Sequence, residues 1–446
     1  MFALLKPISK HVGAVLQRST GATPCATSAK STARTSGSAR SGLGSSSGFG
    51  QKKTGAAAPD AQRTLAVSPD LLAQLGRPLQ TQSAERDICQ SLFNRGRNLA
   101  RQEDWAGLAN LIAANDRARA TTPSGAPISE ILAVGARSDL SRALLSVSEA
   151  GALSPNHPML AGLEALDHSL GEHRDTATCA ALLALAHMDA GWAWYKQGWQ
   201  RGRPEQHVAA FQQSFSRAAQ NLAPFSPAME DSPFLASARC GLLAGIADAD
   251  RRVSKDFRAL IALAPQMPGH MRAYGLHLLP RWFGSYAKLE VEARQIAAQT
   301  QPKWGAGGYS WVYMDALLQD PATFAFLDID FFLEGLTDIH QATGCQHMTN
   351  LLAAYLSHML LQSGTAGPDS SQRRALTRHR DQLIRDEMTE THSWVWSILD
   401  TGYGTPGADH LTQTTADAGL GQAWAAISTA LSRDLRRLHS GAQPAQ

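Results

Sequence analysis

"LHLLPRWFGSYAKLEVEARQIA", Leu276 to Ala297, decides how this chain is read. Pro280 lacks the backbone donor that a helix interior needs, and Gly284 can take the left-handed conformation that closes a helix, so the run beginning near Met271 is expected to stop here. Ser285 then offers a hydroxyl to the first turn of a new helix, on which Tyr286, Leu289, Ala293 and Ile296 share one face. Trp282 and Phe283 are expected to plug the angle between the two helices, and Arg281 to pair with an acid or stack on an indole. Every odd residue in the stretch has a joint-making role.

Working outward, the same construction recurs. Val208, Phe211, Phe215 and Leu222 step at helical spacing, with Pro204 placed for a first turn. Met348, Leu351, Leu352, Tyr355, Leu356, Met359 and Leu360 draw one broad face, and Leu420, Trp424, Ile427, Leu431, Leu435 and Leu438 predict one continuous C-terminal helix. Asp104 reads as the cap of a helix facing Leu108, Leu111 and Ile112 inward. Joints at "LSPNHP", "QRGRP", "LAPFSP", "LAPQMPG" and "SGTAGP" separate these runs. Leu222-Ala223-Pro224 and Leu263-Ala264-Pro265 end two successive hairpins alike, about forty residues apart. Units of roughly 34 to 47 residues that end in proline point to helical hairpins that stack because none buries its apolar face alone. Strand signals are nearly absent; "FAFLDIDFF" at 324–332 reads as a loop entering a helix near Phe331.

The expected fold is therefore all-α, a helical-hairpin repeat of the tetratricopeptide-like α-solenoid kind. Residues 81–365 form its body, residues 366–446 supply helices that pack on the array, and residues 1–80 are a disordered basic tail rich in Ser, Gly and Ala. Within the 446 residues the apolar share of 43% is enough for a substantial core. No run reaches the roughly 18 to 20 apolar residues that a membrane span needs.

Residues 1–58 carry eight Lys or Arg and no acid, which leaves the rest of the chain near −5. A body of that sign argues against nucleic-acid binding and leaves only the tail to meet a polyanion. The tail composition fits a disordered extension, a targeting peptide or a surface tether, but a secretory signal lacks its apolar core here. The expected compartment is the cytoplasm, with organelle targeting by the basic segment as the alternative. Five scattered cysteines without a CxxC pair argue for thiols in a reducing compartment and against a disulfide framework.

"GLHLLPRWFGSYAKLEVEARQIA", "KWGAGGYSWVYMD" and "DFFLEGLTDIHQATGCQHMTNLLAAYLSHM" together resemble a family of uncharacterised bacterial proteins with tetratricopeptide-like helical repeats and an LPRWGGS-type joint. The matching positions are Leu279, Pro280, Arg281, Trp282, Gly284 and Ser285, with Gly335, Asp338 and Asn350 downstream; Phe283 departs from the glycine expected there. The resemblance spans about residues 180–365. It implies a repeat fold in a bacterial protein and carries over no catalytic residue.

The densest candidate for a functional surface is aromatic. His277, Arg281, Trp282, Phe283 and Tyr286 are followed, across the flexible "GAGG" of 305–308, by Trp304, Tyr309, Trp311 and Tyr313. The set expected to bind, on a concave face, is His277, Arg281, Trp282, Tyr286, Trp304, Tyr309 and Trp311, and its ligand would be a protein or peptide. Core plugs between helices are the plainer reading, and it applies equally to Trp192, Trp194, Tyr195 and Trp199. "GAGG" lacks the lysine of a phosphate loop. His340, Cys345 and His347 lack a fourth metal partner, and Asp328, Asp330 and Glu334 read as helix-capping acids. GxSxG and HExxH are absent. No catalytic residue, metal or cofactor is assigned, and the expected function is non-catalytic binding, with an enzyme or small-molecule sensor using residues 277–315 as the alternative.

Overall fold

A computed structural model describes residues 69–172, 176–202, 205–362, 364, 366–401 and 413–440. The expected basic tail up to residue 68, and Pro204, lie outside this set. Along the chain come α1 (Pro69–Gln74), β1 (Leu79–Gln80), α2 (Ala84–Arg101), α3 (Trp105–Arg117), α4 (Ile128–Glu149), α5 (Pro158–Gly171), α6 (Ala177–Gln200), α7 (Glu205–Leu222) and α8 (Pro233–Gly241). There follow α9 (Ala249–Leu263), α10 (Pro268–His277), α11 (Tyr286–Trp304), α12 (Gly307–Gln319), α13 (Ile329–Thr343), α14 (Gln346–Leu361), α15 (Ser370–Gln382), β2 (Thr391–His392), α16 (Ser393–Thr401), α17 (Gln413–Ala430) and α18 (Ser432–His439). The described part is all-α in class, because its strand content is one two-residue parallel pair, Leu79 with Thr391 and Gln80 with His392, and an isolated bridge between Thr121 and Pro127.

The helix starts follow from local chemistry. Asp104 accepts from Gly107 N at 2.9 Å and Ser285 Oγ from Lys288 N at 3.1 Å, as expected of caps. Four helix ends are closed differently, by arginines reaching in from other parts of the chain. Arg239 donates to Leu222 O at 2.8 Å and Arg119 to Leu263 O at 3.0 Å, the two carbonyls of the matched Leu-Ala-Pro joints. Arg373 does the same at Leu360 O, 2.9 Å, and Arg385 at Ala430 O, 3.0 Å. A guanidinium satisfies orphan carbonyls and opposes the negative end of the helix dipole at once.

Neighbouring helices pack in pairs, α2 on α4, α6 on α7, α10 and α11 on α12, and α16 on α17. Glycines permit the closest crossings. A Cβ on Gly96 would lie 2.1 Å from Leu132 O, and one on Gly135 would lie 2.1 Å from Phe93 O, so the backbones of α2 and α4 touch at two reciprocal points. Gly275 of α10 meets α12 in the same way, since a Cβ there would stand 1.8 Å from Val312 O.

Four hydrophobic clusters result among the described residues. One gathers α2 to α8 around Leu108, Leu183, Trp192 and Phe215. A second gathers α9 to α15 around Phe257, Tyr274, Trp311 and Tyr355. The third joins α1 to α14, α16 and α17 through Leu72, Leu75, Trp396 and Ile427. A smaller fourth lies between α4, α5 and α6, around Leu144, Leu163 and Trp194.

Three expectations are corrected. Residues 69–80, assigned to the tail, form α1 and β1, because Leu72 and Leu75 find a buried slot at the other end of the chain. The C-terminal helix is broken at Leu431, whose φ of −102° and ψ of 26° separate α17 from α18, and Leu438 is 42% exposed instead of sharing the buried face. Gly284 does not adopt the left-handed conformation; glycine is needed because a Cβ would stand 2.1 Å from Leu278 O.

Candidate functional site

The joint between α10 and α11 lies where the two larger clusters meet, and Trp282 packs against both. Its indole is edge-on to Trp192, ring centroids 6.4 Å apart, and stacks on His277 at 5.9 Å. His277 is enclosed by Phe257, Trp282 and Phe283 and gives its Nδ1 proton to Ala273 O at 2.8 Å. Burial lowers its pKa to about 4, so the ring is neutral at physiological pH.

The seven residues singled out by sequence divide by depth. Trp304, Tyr309 and Trp311 are buried, at 4%, 0% and 1% exposure. Trp304 donates to Pro265 O at 2.7 Å and meets Trp311 edge-on at 5.7 Å, tying the end of α11 to the second Leu-Ala-Pro joint. His277, Arg281, Trp282 and Tyr286 are half-buried. Arg281 donates to Gln319 Oε1 at 3.1 Å, so its first partner is an amide and neither an acid nor an indole. Tyr286 donates to Asp320 Oδ2 at 2.9 Å while its ring stacks on Phe326 at 5.2 Å, and Phe326 is 45% exposed. Arg281, Tyr286, Asp320 and Phe326 thus form one surface at the end of α12. Sequence reading missed Asp320 and Phe326, because the short 3-10 turn Pro321–Phe326 that they bracket has no helical period to mark it.

Two polar networks tie the neighbouring helices together. In the first, helices α10, α12 and α14 each contribute one group. Arg272 grips Asp315 with two bonds, Nε to Oδ2 at 3.1 Å and Nη2 to Oδ1 at 2.8 Å, and Tyr355 donates to the same Oδ1 at 2.6 Å. Arg272 and Tyr355 are buried, so each needs the partner it has. In the second, Tyr309 and Tyr313 both donate to Glu290 Oε2, at 2.7 and 2.8 Å, and Arg294 spans Glu290 and Asp328 at 2.6 and 2.8 Å. Burial and the Glu290 carboxylate raise both phenol pKa values and keep the hydroxyls protonated. Asp328 also caps α13 at Phe331 N, 3.1 Å, the role expected of it, and the Arg294 contact holds its carboxyl below the usual range.

"GAGG" makes a packed turn: Gly305 ends α11 at φ 56°, and Ala306 N donates to Asp338 Oδ2 at 2.7 Å. Gly335 lies against Ser310 and Ala306, where a Cβ would come within 2.2 Å. Asn350 is fully buried and meets four partners. Its Nδ2 donates to Gln346 O and Glu390 O at 2.8 and 2.9 Å, and its Oδ1 accepts from His392 N and Trp396 Nε1, both at 3.0 Å. Gly335, Asp338 and Asn350 therefore each have a structural role here.

Trp192 and Trp194 are both buried, on different sides of α6, and Tyr195 packs against the same cluster as Trp192, while Trp199 is 37% exposed, so the core reading of this group fails only at Trp199. His340 is 3.0 Å from Thr349 Oγ1, and His347 faces His392. Cys89 is pushed up to about 12 by burial and by Glu85, and burial raises Cys240 strongly too, so both thiols stay protonated and weakly nucleophilic.

Comparison with protein-family models, with curated proteins and with solved structures finds no match. The fold and site alone define the class, an all-α protein with an aromatic joint between two helical clusters. Among the described residues no helix is long and apolar enough to cross a membrane.

Proposed function

We propose that this chain is a non-catalytic helical-repeat protein of tetratricopeptide-like, solenoidal construction that binds a protein or peptide partner. Its contact surface is the outer edge of the aromatic face, Arg281, Trp282, Tyr286 and Phe326, while Trp304, Tyr309 and Trp311 lie buried in the core. The observation that carries this reading is the pair formed by Tyr286 and Phe326, a stacked, half-exposed aromatic couple beside an arginine. Aromatic side chains and arginine dominate the energetics of protein interfaces because they bury large area at low entropic cost. The test is affinity capture with the full chain beside an Arg281→Glu/Tyr286→Ala variant whose helicity is checked by circular dichroism. Loss of one identified partner from the folded variant supports the surface; retention of every partner counts against it.

A second reading, a small-ligand or enzyme site, has one observation in its favour: Asp315 lies within hydrogen-bond distance of two buried polar side chains, Arg272 and Tyr355. A ligand that raises the melting temperature of the wild type and not of Tyr355→Phe would shift the assignment to that cluster.

A further inference from the structure

The N-terminal arm, residues 69–80, is held by elements some three hundred positions away in sequence. Leu72 and Leu75 are 0% and 6% exposed in the cluster made by Ala353, Ile384, Met388, Trp396 and Ile427. Arg77 donates to Ile384 O at 3.1 Å and Arg385 O at 2.7 Å, closing the π-helical turn Leu383–Glu387. Pro78 O accepts from Thr391 N at 3.0 Å, Arg77 O accepts from Thr391 Oγ1 at 3.1 Å, and β1 then lies parallel to β2. A helix of six residues does not hold itself together in water, so the slot, not the arm, fixes this conformation. The arm leaves the slot through residues 81–83, of which Thr81 and Gln82 are exposed, before Ser83 caps α2.

We propose that this slot between α14, the Leu383–Glu387 turn, β2, α16 and α17 is a docking groove for the Leu-x-x-Leu-x-Arg-Pro-Leu arm, and that it accepts the arm of a second copy as well as its own. The named arm contacts are made within the slot and across a three-residue hinge, so an identical arm from another molecule satisfies the same carbonyls, the same Thr391 groups and the same apolar pockets. Short hinges of this kind are where arm exchange occurs. The occupant's chemistry is on view in the groove: two leucines three apart, an arginine for helix-end carbonyls and an extended residue pair for β2. In the monomer the arm's own tether gives it a high effective concentration, which masks the groove and confines exchange to concentrated protein.

The test uses the full chain and a fluorescein-labelled peptide of residues 69–82. A Leu72→Asp/Leu75→Asp variant, whose own arm is ejected, is expected to bind the peptide at least about tenfold more tightly than the wild type, and the wild type is expected to form a dimer at high concentration that this variant does not form. A folded variant that ignores the peptide overturns the groove. Peptide binding by the variant with a wild type that stays monomeric at every concentration overturns the second copy as occupant. Should the variant lose its helicity, hydrogen exchange on the wild type decides: amides of residues 72–80 exchanging ahead of α16 support a separable arm, and exchange together with α16 overturns it.

Discussion

Trp282 meets Trp192 edge-on, with ring centroids 6.4 Å apart and planes at 80°. The contact joins a residue of the α10–α11 joint to the middle of α6, and through it the two large clusters of the molecule touch. Such pairs add about 0.5–1.5 kcal/mol beyond the area they bury. Trp282→Ala is therefore expected to lower unfolding stability by about 3 kcal/mol and to separate the transitions of the two halves in guanidinium. One coincident transition, followed by both fluorescence and circular dichroism at unchanged midpoint, would refute the bridging role.

The reciprocal glycines of α2 and α4 set a second expectation. Gly135→Ala places a methyl group 2.1 Å from Phe93 O, so the helices must separate, at a cost of about 1–3 kcal/mol. Gly162→Ala, within α5 but with open space around it, should be neutral or slightly stabilising because alanine favours the helix. Equal effects of the two substitutions on the melting temperature would show that the close approach is not what Gly135 provides.

Asn350 organises the return from α15 to α16. Asn350→Ala strips the partners from His392 N and from the buried Trp396 Nε1, each worth about 1–3 kcal/mol when left unsatisfied. Hydrogen exchange at His392 and quenching of Trp396 fluorescence should both rise, and a folded variant with neither change would contradict this.

Asp315 neutralises a guanidinium that is itself buried. Asp315→Asn keeps the size and removes the charge, leaving Arg272 uncompensated at about 3–5 kcal/mol. A loss no larger than that from breaking an exposed pair such as Arg101 with Asp139, which solvent screens, would mean that water reaches Arg272.

Acid should weaken the protein in a defined window. His277 and His379 are both lowered to about 4 by burial, His379 also by His340. The unfolded chain takes up these protons near pH 6.5 and the folded one only near 4, so their contribution is complete above pH 6.5, falls between 6.5 and 4, and is flat below. Each ring accounts for up to about 3 kcal/mol of that fall. A His277→Gln/His379→Gln double variant should show a shallower decline of melting temperature from about pH 7 to about pH 4.5, and an unaltered slope would reject these two rings as its source.

Much of the architecture was legible in the sequence. Ser285, Asp104 and Asp328 cap the helices they were expected to cap, because a cap depends on residues three apart in the chain. The apolar face of α14 lies inward as its spacing indicates. The candidate surface was half legible: Arg281 and Tyr286 were found, but Phe326 was not, and burial of Trp304, Tyr309 and Trp311 could not be told from exposure because an aromatic serves a core and an interface equally well.

By itself the sequence determined the helices, their starts and most of their joints, since these are properties of local spacing, proline, glycine and short polar side chains. Tertiary structure alone decided three things: that Leu72 and Leu75 pack against α16 and α17, that the C-terminal helix is broken at Leu431, and that Arg272 and Tyr355 share Asp315. Each depends on groups that meet only when burial brings distant parts of the chain together, and no local period records such a meeting.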